Sequence, residues 1–425
     1  MNNILKQTIA NMRTQPLLTG LTIAGTALAI CLIMIVMMTR EAQIADYGNE
    51  PYRSRTLYVR DSKFVMENGN YNFDGAIHRD IICAIFRKLK TPEAVAVHSS
   101  YINDIDVYAP GGEIVSVAPK TVNADFFRVY SLRFLEGKPF TEEECASNLT
   151  AALLSRSTCR KVFGQEKDVV GKVFIVANHE YRVAGVVEDV SPLMRSAYAD
   201  IWMPASDRDD MPHPLESSNI RPKYNHCADL LAKSPADFPK IRREVERLVK
   251  AYNKTHTGLV YDLIEQPDTK ETAVNRDNTE TPDMQAVYLR YLLIFGILLI
   301  VPAINIASMT QSRLRQREEE IGVRRTFGAK RSTILWQVIV ESFIQTLLAG
   351  ILGLLLSFVA CIAAAQYIFP KVWGEESVTM SLDPSILFSP QLYGWAFFFC
   401  LVLNALSSLV PAWRASRGNI VEALK

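Results

Sequence analysis

The sequence predicts an integral membrane α-helical protein of four transmembrane helices. A large extracytoplasmic α+β domain of two lobes is inserted between helices 1 and 2. Three observations carry this reading. Long apolar runs sit at the two ends of the 425-residue chain. The stretch between them, 41–290, holds 32 basic and 37 acidic residues, a net charge of −5. Lys and Arg, finally, crowd one set of run ends and avoid the other. Hydrophobic residues make up 49% of the chain and charged residues 21%, which excludes a disordered or collagen-like protein. The near-equality of 46 basic and 45 acidic residues gives no basic excess of the kind a nucleic-acid binder carries.

Each element follows in chain order. In 1–16, Ile4, Leu5, Ile9 and Met12 with Lys6 and Arg13 read as a short amphipathic segment on the inner membrane face. Leu17–Met38 is 22 residues without a charge, the core of helix 1 at 17–40. It has no small-residue cleavage site, so a removed signal peptide is not expected. Tyr291–Ser312, again 22 charge-free residues, places helix 2 at 287–312. Ile334–Phe369 runs 36 residues with only Glu341 ionisable. It forms helix 3 at 334–369, its first turns lying at the interface. Pro384–Trp413 is 30 charge-free residues and holds helix 4 at 390–412, after an outside loop at 370–389 and before a tail at 413–425. At 1.5 Å of rise per residue, ~20 residues cross a hydrocarbon core of ~30 Å.

Basic residues flanking the runs set the orientation. Lys6 and Arg13 precede helix 1. Arg313, Arg315, Arg317, Arg324, Arg325, Lys330 and Arg331 lie between helices 2 and 3, and Arg414, Arg417 and Lys425 follow helix 4. The connection after helix 3 is acidic instead, with Glu375, Glu376 and Asp383. Both termini and the 313–333 segment are therefore expected in the cytoplasm, with 41–286 outside. Arg40 is the one exception.

Within 41–286, Ile77, Ile81, Ile82, Ile85, Phe86 and Leu89 recur at helical spacing and predict a helix over 76–90. Strands are predicted at 94–98, 105–108 and 114–117. A second helix is marked by Phe238, Ile241, Val245, Leu248 and Val249, between strands at 227–232 and 259–264. These read as two strand–helix–strand units sharing one sheet. A helix near 155–163 and a hairpin of 172–177 with 181–187, turning at Asn178-His179, mark an inserted β-rich part. Lobe one is then 43–125 plus 206–285, and lobe two is 126–205.

Catalytic and metal motifs are absent from the sequence. It contains no G-x-x-x-x-G-K-[ST], G-x-S-x-G, H-E-x-x-H or C-x-x-C. The six histidines are dispersed, without ligand spacing, and read as surface residues, so no metal site is predicted. His226-Cys227 with Asp229 offers the residue types of a thiol nucleophile, but neighbours on a strand face opposite ways, and a buried strand cysteine is the better reading. Cys83, Cys145, Cys159 and Cys227 could be free or bridged, since their spacing selects no pairing.

The informative segment joins helices 2 and 3. Glu320 and Arg324 are four apart in the favourable order, and Gly328 can end a helix there. Physics alone leaves two readings, a solvated juxtamembrane helix or a lever pushed by a cytosolic partner. The run Arg317-Glu318-Glu319-Glu320-Ile321-Gly322-Val323-Arg324-Arg325-Thr326-Phe327-Gly328-Ala329-Lys330-Arg331 closely resembles the R-x-R-E-I-G-[IV]-R-R-A-[LF]-G-A segment of MacB/FtsX-like ABC transporter permeases. Pro411-Ala412-Trp413-Arg414-Ala415-Ser416-Arg417 with Val421-Glu422-Ala423-Leu424 resembles the closing motif of that family. Phe134–Phe140 and Tyr181–Val187 resemble patterns in its MacB-type periplasmic core domain. Thr326 stands where the family usually has alanine, and Gly418-Asn419-Ile420 where it usually has a proline.

The resemblance implies a permease paired with a second permease subunit beside ABC ATPase subunits, in the bacterial inner membrane. It assigns ATPase coupling to Glu320, Gly322, Arg324, Arg325, Gly328, Ala329 and Lys330. It also implies no cofactor or metal held by this chain, ATP being bound by the partner, and no enzymatic activity of its own. MacB itself carries a fused ATPase that this sequence lacks, so a separate ATPase chain is expected. Efflux of antimicrobial compounds or peptides is the implied use, with an adaptor and an outer-membrane channel as further partners. Alternatives in the same family are a lipoprotein-releasing permease and an FtsX-like regulator of a wall hydrolase. The small-residue stripes Ala349/Gly353/Ser357/Cys361 and Gly20/Ala24/Leu28 fit either a paired assembly or packing within one chain.

Overall fold

Hydropathy divides the chain as the fold does. The computed structural model describes residues 16–66, 71–100, 104–147, 149–176, 178–205, 224–256, 259–276, 280–316 and 331–363, with isolated residues beyond 316 and 363. It forms two compact units: Met1–Glu41 with Gln285–Ile368 and Leu387–Lys425, and Ala42–Met284 with Phe369–Ile386. We call the first helical and the second α/β.

In the helical unit the described elements are α1 (Pro16–Ile44, whose last three residues belong to the α/β unit), α8 (Met284–Gln316) and α9 (Arg331–Ala363). Two stretches are long and apolar enough to cross a membrane, Thr19–Ile44 and Trp336–Ala363, and Met284–Ile300 is a shorter apolar stretch of α8. The fourth expected crossing, like segment 1–15, lies outside the described residues save for isolated positions. The stripe on α9 packs within the chain, against α1. A Cβ on Gly353 would meet Ala27 O at 2.7 Å and Ile30 Cβ at 2.9 Å, and Cys361 Sγ lies 3.6 Å from Met38 Sδ. On α1, Gly20, Ala24 and Leu28 are exposed, and the face buried within the chain is Thr19, Thr22, Thr26, Ala27 and Ile30. On α9, Glu341, Ser342, Gln345 and Thr346 are buried together on one side. Arg40 lies over the Tyr291 ring of α8, 5.6 Å from its centroid.

Among the described residues the α/β unit is built on a sheet of fourteen strands, twelve of them in the order β14-β2-β3-β13-β4-β7-β12-β9-β11-β10-β5-β6, with β1 paired to β13 and β8 to β11. The strands are β1 (Thr56–Val59), β2 (Asp61–Met66), β3 (Tyr71–His78), β4 (Ala94–Ser99), β5 (Ile105–Tyr108), β6 (Val115–Val117), β7 (Pro119–Val122) and β8 (Phe134–Gly137). They continue with β9 (Ala151–Ser155), β10 (Val173–Val176), β11 (His179–Val187), β12 (Ile201–Pro204), β13 (Tyr224–Leu231) and β14 (Leu259–Asp262).

The two strand–helix–strand units share this sheet, as the periodicity predicts. One is β3–α2 (Arg79–Ala84)–β4, and the other is β13–α6 (Phe238–Thr255)–β14. Strand β13 enters between β3 and β4, antiparallel to both. The helix predicted over 76–90 is shorter, because Ile77 lies on β3 and His78 caps α2 by accepting from Asp80 N at 3.2 Å. A 3-10 turn then covers Phe86–Lys88, and the short helices α3 (Phe126–Val129) and α4 (Glu142–Ala146) follow further along the chain.

Two apolar cores are formed among the described residues. In the first, Leu57, Ile77, Ile81, Ile85, Phe86, Val97, Leu230, Ile241, Val245 and Tyr261 pack beneath α2 and α6. In the second, Phe174, Tyr181, Val183, Val186, Leu154 and Ile201 pack with Val162 of α5 (Arg156–Phe163). Ser155 caps α5, accepting from Thr158 N at 3.2 Å, and Gly164 ends it at φ +70°. Ile105, Val107 and Val117 belong to this second core, so the lobe-one boundary expected at 125 does not follow the packing. The reason is pairing: β5 is hydrogen-bonded to β10, a strand of the second core. The β10–β11 hairpin turns one residue earlier than predicted, with Val176 opposite His179 and Asn178 at φ +65°. Between the halves, β4 and β7 share the single register pair His98–Val122.

Candidate functional site

The residues assigned to ATPase coupling, Glu320, Gly322, Arg324, Arg325, Gly328, Ala329 and Lys330, lie outside the described residues. Val323 and Thr326 between them are helical and exposed, and the Thr326 hydroxyl donates to Val323 O at 2.6 Å. The side-chain cluster that the structure does describe lies in the α/β unit. There, the chain entering from α1 meets the chain leaving toward α8.

Helix α1 ends with unsatisfied carbonyls, as every helix does. Arg53, in a 3-10 turn at Arg53–Arg55, donates through Nη1 to Ala42 O at 2.9 Å and to Ala45 O at 3.1 Å. The Tyr47 hydroxyl donates to Ala42 O as well. A guanidinium at a helix C-terminus also meets the negative end of the helix dipole. Glu50 then binds both ways. Its Oε2 accepts from Arg53 Nε at 2.5 Å and pairs with Lys270 Nζ at 3.2 Å. Its Oε1 accepts from the backbone N–H groups of Ser196 and Ala197 at 3.2 and 3.3 Å. Glu50 and Arg53 are each about 1% exposed. Burial works against the Glu50 charge, but Lys270 and Arg53 outweigh it and hold the carboxyl at about 2. Burial drags Lys270 down to about 8 despite the attraction of Glu50.

The departing segment is fastened beside it. Lys270 opens α7 (Lys270–Asn275), capped by Thr269. Tyr58 and Asp268 exchange two backbone hydrogen bonds at 2.8 Å. The Asp268 carboxylate takes Arg276 Nε at 2.6 Å and Nη2 at 3.1 Å. Gln266 accepts from Arg60 N at 2.7 Å and donates to Leu263 O at 3.0 Å.

A second carboxylate, Asp229 of β13, is fully buried. Arg60 Nη1 pairs with it at 2.8 Å, His98 Nε2 lies 2.9 Å away, and the Tyr130 hydroxyl donates to it. Burial opposes its charge, but Arg60 and His98 prevail, so it ionises well below the usual carboxylate range. Burial lowers His98 against the pull of Asp229. Arg60 Nη2 reaches on to Ser196 Oγ at 2.8 Å, and Lys120 Nζ donates to Arg195 O and Ser196 O at 2.8 and 3.0 Å. The loop 194–197 is thus held by Glu50, Arg60 and Lys120, and it leads into β12 of the second core.

The cluster is not built for nucleophilic chemistry. Burial raises the Cys227 thiol and pushes Cys159 up to about 12, which removes the thiolate that attack requires. Cys145, Cys159 and Cys227 are buried, Cys83 is half-buried, and no disulfide joins them. Among the described residues no group of metal-ligating side chains occurs. His98 is corrected from surface residue to buried partner of Asp229. The sequence reading passed over Glu50, Arg53, Arg60, His98 and Lys270. The available signal was an acid inside the otherwise apolar run Cys227-Ala228-Asp229-Leu230-Leu231, which cannot be buried without a partner.

Comparison with known proteins places this architecture. Residues 19–248 match the family profile of the MacB-like periplasmic core domain, and 292–420 match the FtsX-like permease C-terminal profile. The macrolide export ATP-binding/permease protein MacB of Escherichia coli (strain K12) is 24% identical over 418 residues, 97% of this chain and 58% of that protein. The Shigella flexneri protein of the same name gives the same figures. The chain therefore spans a little over half the length of the curated relatives it matches. The crystal structure of the periplasmic region of MacB from Actinobacillus actinomycetemcomitans aligns at TM-score 0.36 and 14% identity, covering 53% of this chain and 96% of that one.

Proposed function

This chain belongs to the MacB-like periplasmic core domain family and carries an FtsX-like permease C-terminal segment, and from that premise we propose that it is the membrane subunit of an ABC transporter. In this reading a separate ATPase chain hydrolyses ATP, and this chain converts the closure of that partner into movement of its outer lobes. The observation that carries the reading is the order of the two family matches, core domain over 19–248 and then permease segment over 292–420. Two helices long enough to cross a membrane support insertion.

The proposal comprises four crossings, both termini in the cytoplasm and the lobes outside the inner membrane. Residues Glu320, Gly322, Arg324, Arg325, Gly328, Ala329 and Lys330 engage the ATPase, and a second permease subunit completes the pair. The chain itself holds no cofactor. The cargo class is antimicrobial compounds or peptides, in line with relatives named for macrolide export. An adaptor and an outer-membrane channel are part of the same proposal. Purification of the full chain with its ATPase is the test. Charge reversal of Arg324 and Arg325 together is expected to weaken that association by about tenfold or more, since like charges brought together at an interface cost several kcal/mol. Undiminished association, with ATP-driven export intact, would remove the coupling assignment.

A further inference from the structure

We infer that the turn Tyr47–Glu50 and the loop Met194–Ala197 form a latch through which displacement of α1 and of the segment before α8 reaches the second lobe, with Glu50 as its positioning residue. This rests on the reading of the chain as a transporter subunit and names the joint at which that movement is passed on.

Three features of geometry carry it. Glu50 is a single carboxylate gripped by three parts of the chain: Arg53 beside the end of α1, Lys270 on the way to α8, and two N–H groups of the loop 194–197. The neighbouring turn reinforces the grip. Asn49 N donates to Met194 Sδ at 3.2 Å, and Gly48, at φ +52°, lies so close that a Cβ there would come within 2.3 Å of Met194 Cε. The loop in turn is stiffly joined to the second core. Trp202 Nε1 donates to Ala197 O at 3.1 Å, and Ile201 and Met203 of the same strand are core residues.

Chemistry favours a positional role over a purely stabilising one. A buried ion pair costs desolvation that apolar packing would avoid, so it is a poor way to add stability and a good way to specify one arrangement. The ion pairs elsewhere on the surface of the α/β unit, such as Arg133–Glu188 and Arg160–Glu166, join exposed side chains. None of those unites α1, the segment before α8 and the second lobe. Because α1 runs unbroken from Pro16 to Ile44 and Arg53 holds its final carbonyls, a shift of the helix carries Glu50 with it.

Hydrogen exchange of the full chain with its ATPase in lipid nanodiscs, with and without ATP, tests the latch. In the wild type, peptides covering 47–50 and 191–199 are expected to change protection together on adding ATP. In Glu50→Ala and Lys270→Met the change at 191–199 should fall about fivefold or more, while strands at 151–155 and 227–231 keep their protection. ATP hydrolysis should continue in these variants with transport lost, a split that a merely structural role would not produce. An Arg133→Ala control should respond like the wild type. If Glu50→Ala loses core protection, Glu50→Gln replaces it. That variant keeps an oxygen for the two N–H groups and drops the charge facing Arg53 and Lys270, and it is expected to lose the link between 47–50 and 191–199. A full ATP response at 191–199 in folded Glu50 and Lys270 variants overturns the latch. Absence of any ATP response in the wild type overturns the transporter reading instead.

Discussion

The second apolar core and the carboxylates of the ionic seam, Glu50 and Asp229, are both buried, and they hold by opposite means. Phe174, Tyr181, Val186 and Ile201 are each buried to 1% exposure or less. Any of their neighbours could be trimmed at a cost proportional to the lost area and the cavity left. Asp229 is as deeply buried, but its environment is Arg60, His98 and Tyr130, each there to meet one charge. Removing a partner strands the other. A core tolerates graded change, whereas a seam of this kind has one arrangement that works, and it lies where the two halves share one strand register.

Acid should separate the two most strongly, because it acts on the seam alone. Glu50 and Asp229 are held below their unfolded values, so their stabilisation is complete above the unfolded carboxylate range near 4 and is lost as pH falls toward about 2. His98 is lowered below its unfolded value near 6.5, so the unfolded chain takes up that proton first and stability begins to fall below that pH. All three act in one direction. Exchange protection measured from pH 7 downward is expected to fail first at β13, β4 and 194–197, and later at β9 and β11. Simultaneous loss everywhere would dissolve the distinction.

Next in size is Asp229→Ala, which leaves the half-buried Arg60 and the buried His98 and Tyr130 without their shared carboxylate and should cost about 3 kcal/mol in the local opening of β13 and β4. The same measurement on Ile201→Val, a core residue trimmed by one methylene, should give about 1 kcal/mol. Equal costs would show that the seam is no more demanding than the core.

Local pattern and long-range pairing account for what the sequence revealed. Helix α6 was legible because Phe238, Ile241, Val245, Leu248 and Val249 repeat along one face. The β10–β11 hairpin was legible because two apolar runs flank a turn. The helix expected over 76–90 shows the limit, since Ile77 has the right spacing for the helix and yet lies on a strand. Its place on β3 is set by β2 and β13, which no local window contains. The seam was illegible for the same reason at greater range. Glu50 and Lys270 are 220 positions apart, and His98 and Asp229 are 131 apart. The segment proposed to engage the ATPase is the reverse case, readable from its own motif, with the residues assigned that role lying outside the described ones.

The sequence by itself determined where apolar runs separate from charged ones, most of the described helices and half of the described strands, because burial of one face imposes a short period on neighbouring residues. Only the tertiary structure decided which strands share a core, which stripe of α1 meets α9, and that Glu50 and Asp229 are charged groups without water. Those outcomes depend on which distant side chains arrive beside each other, and a buried charge is stable only where its partner arrives too.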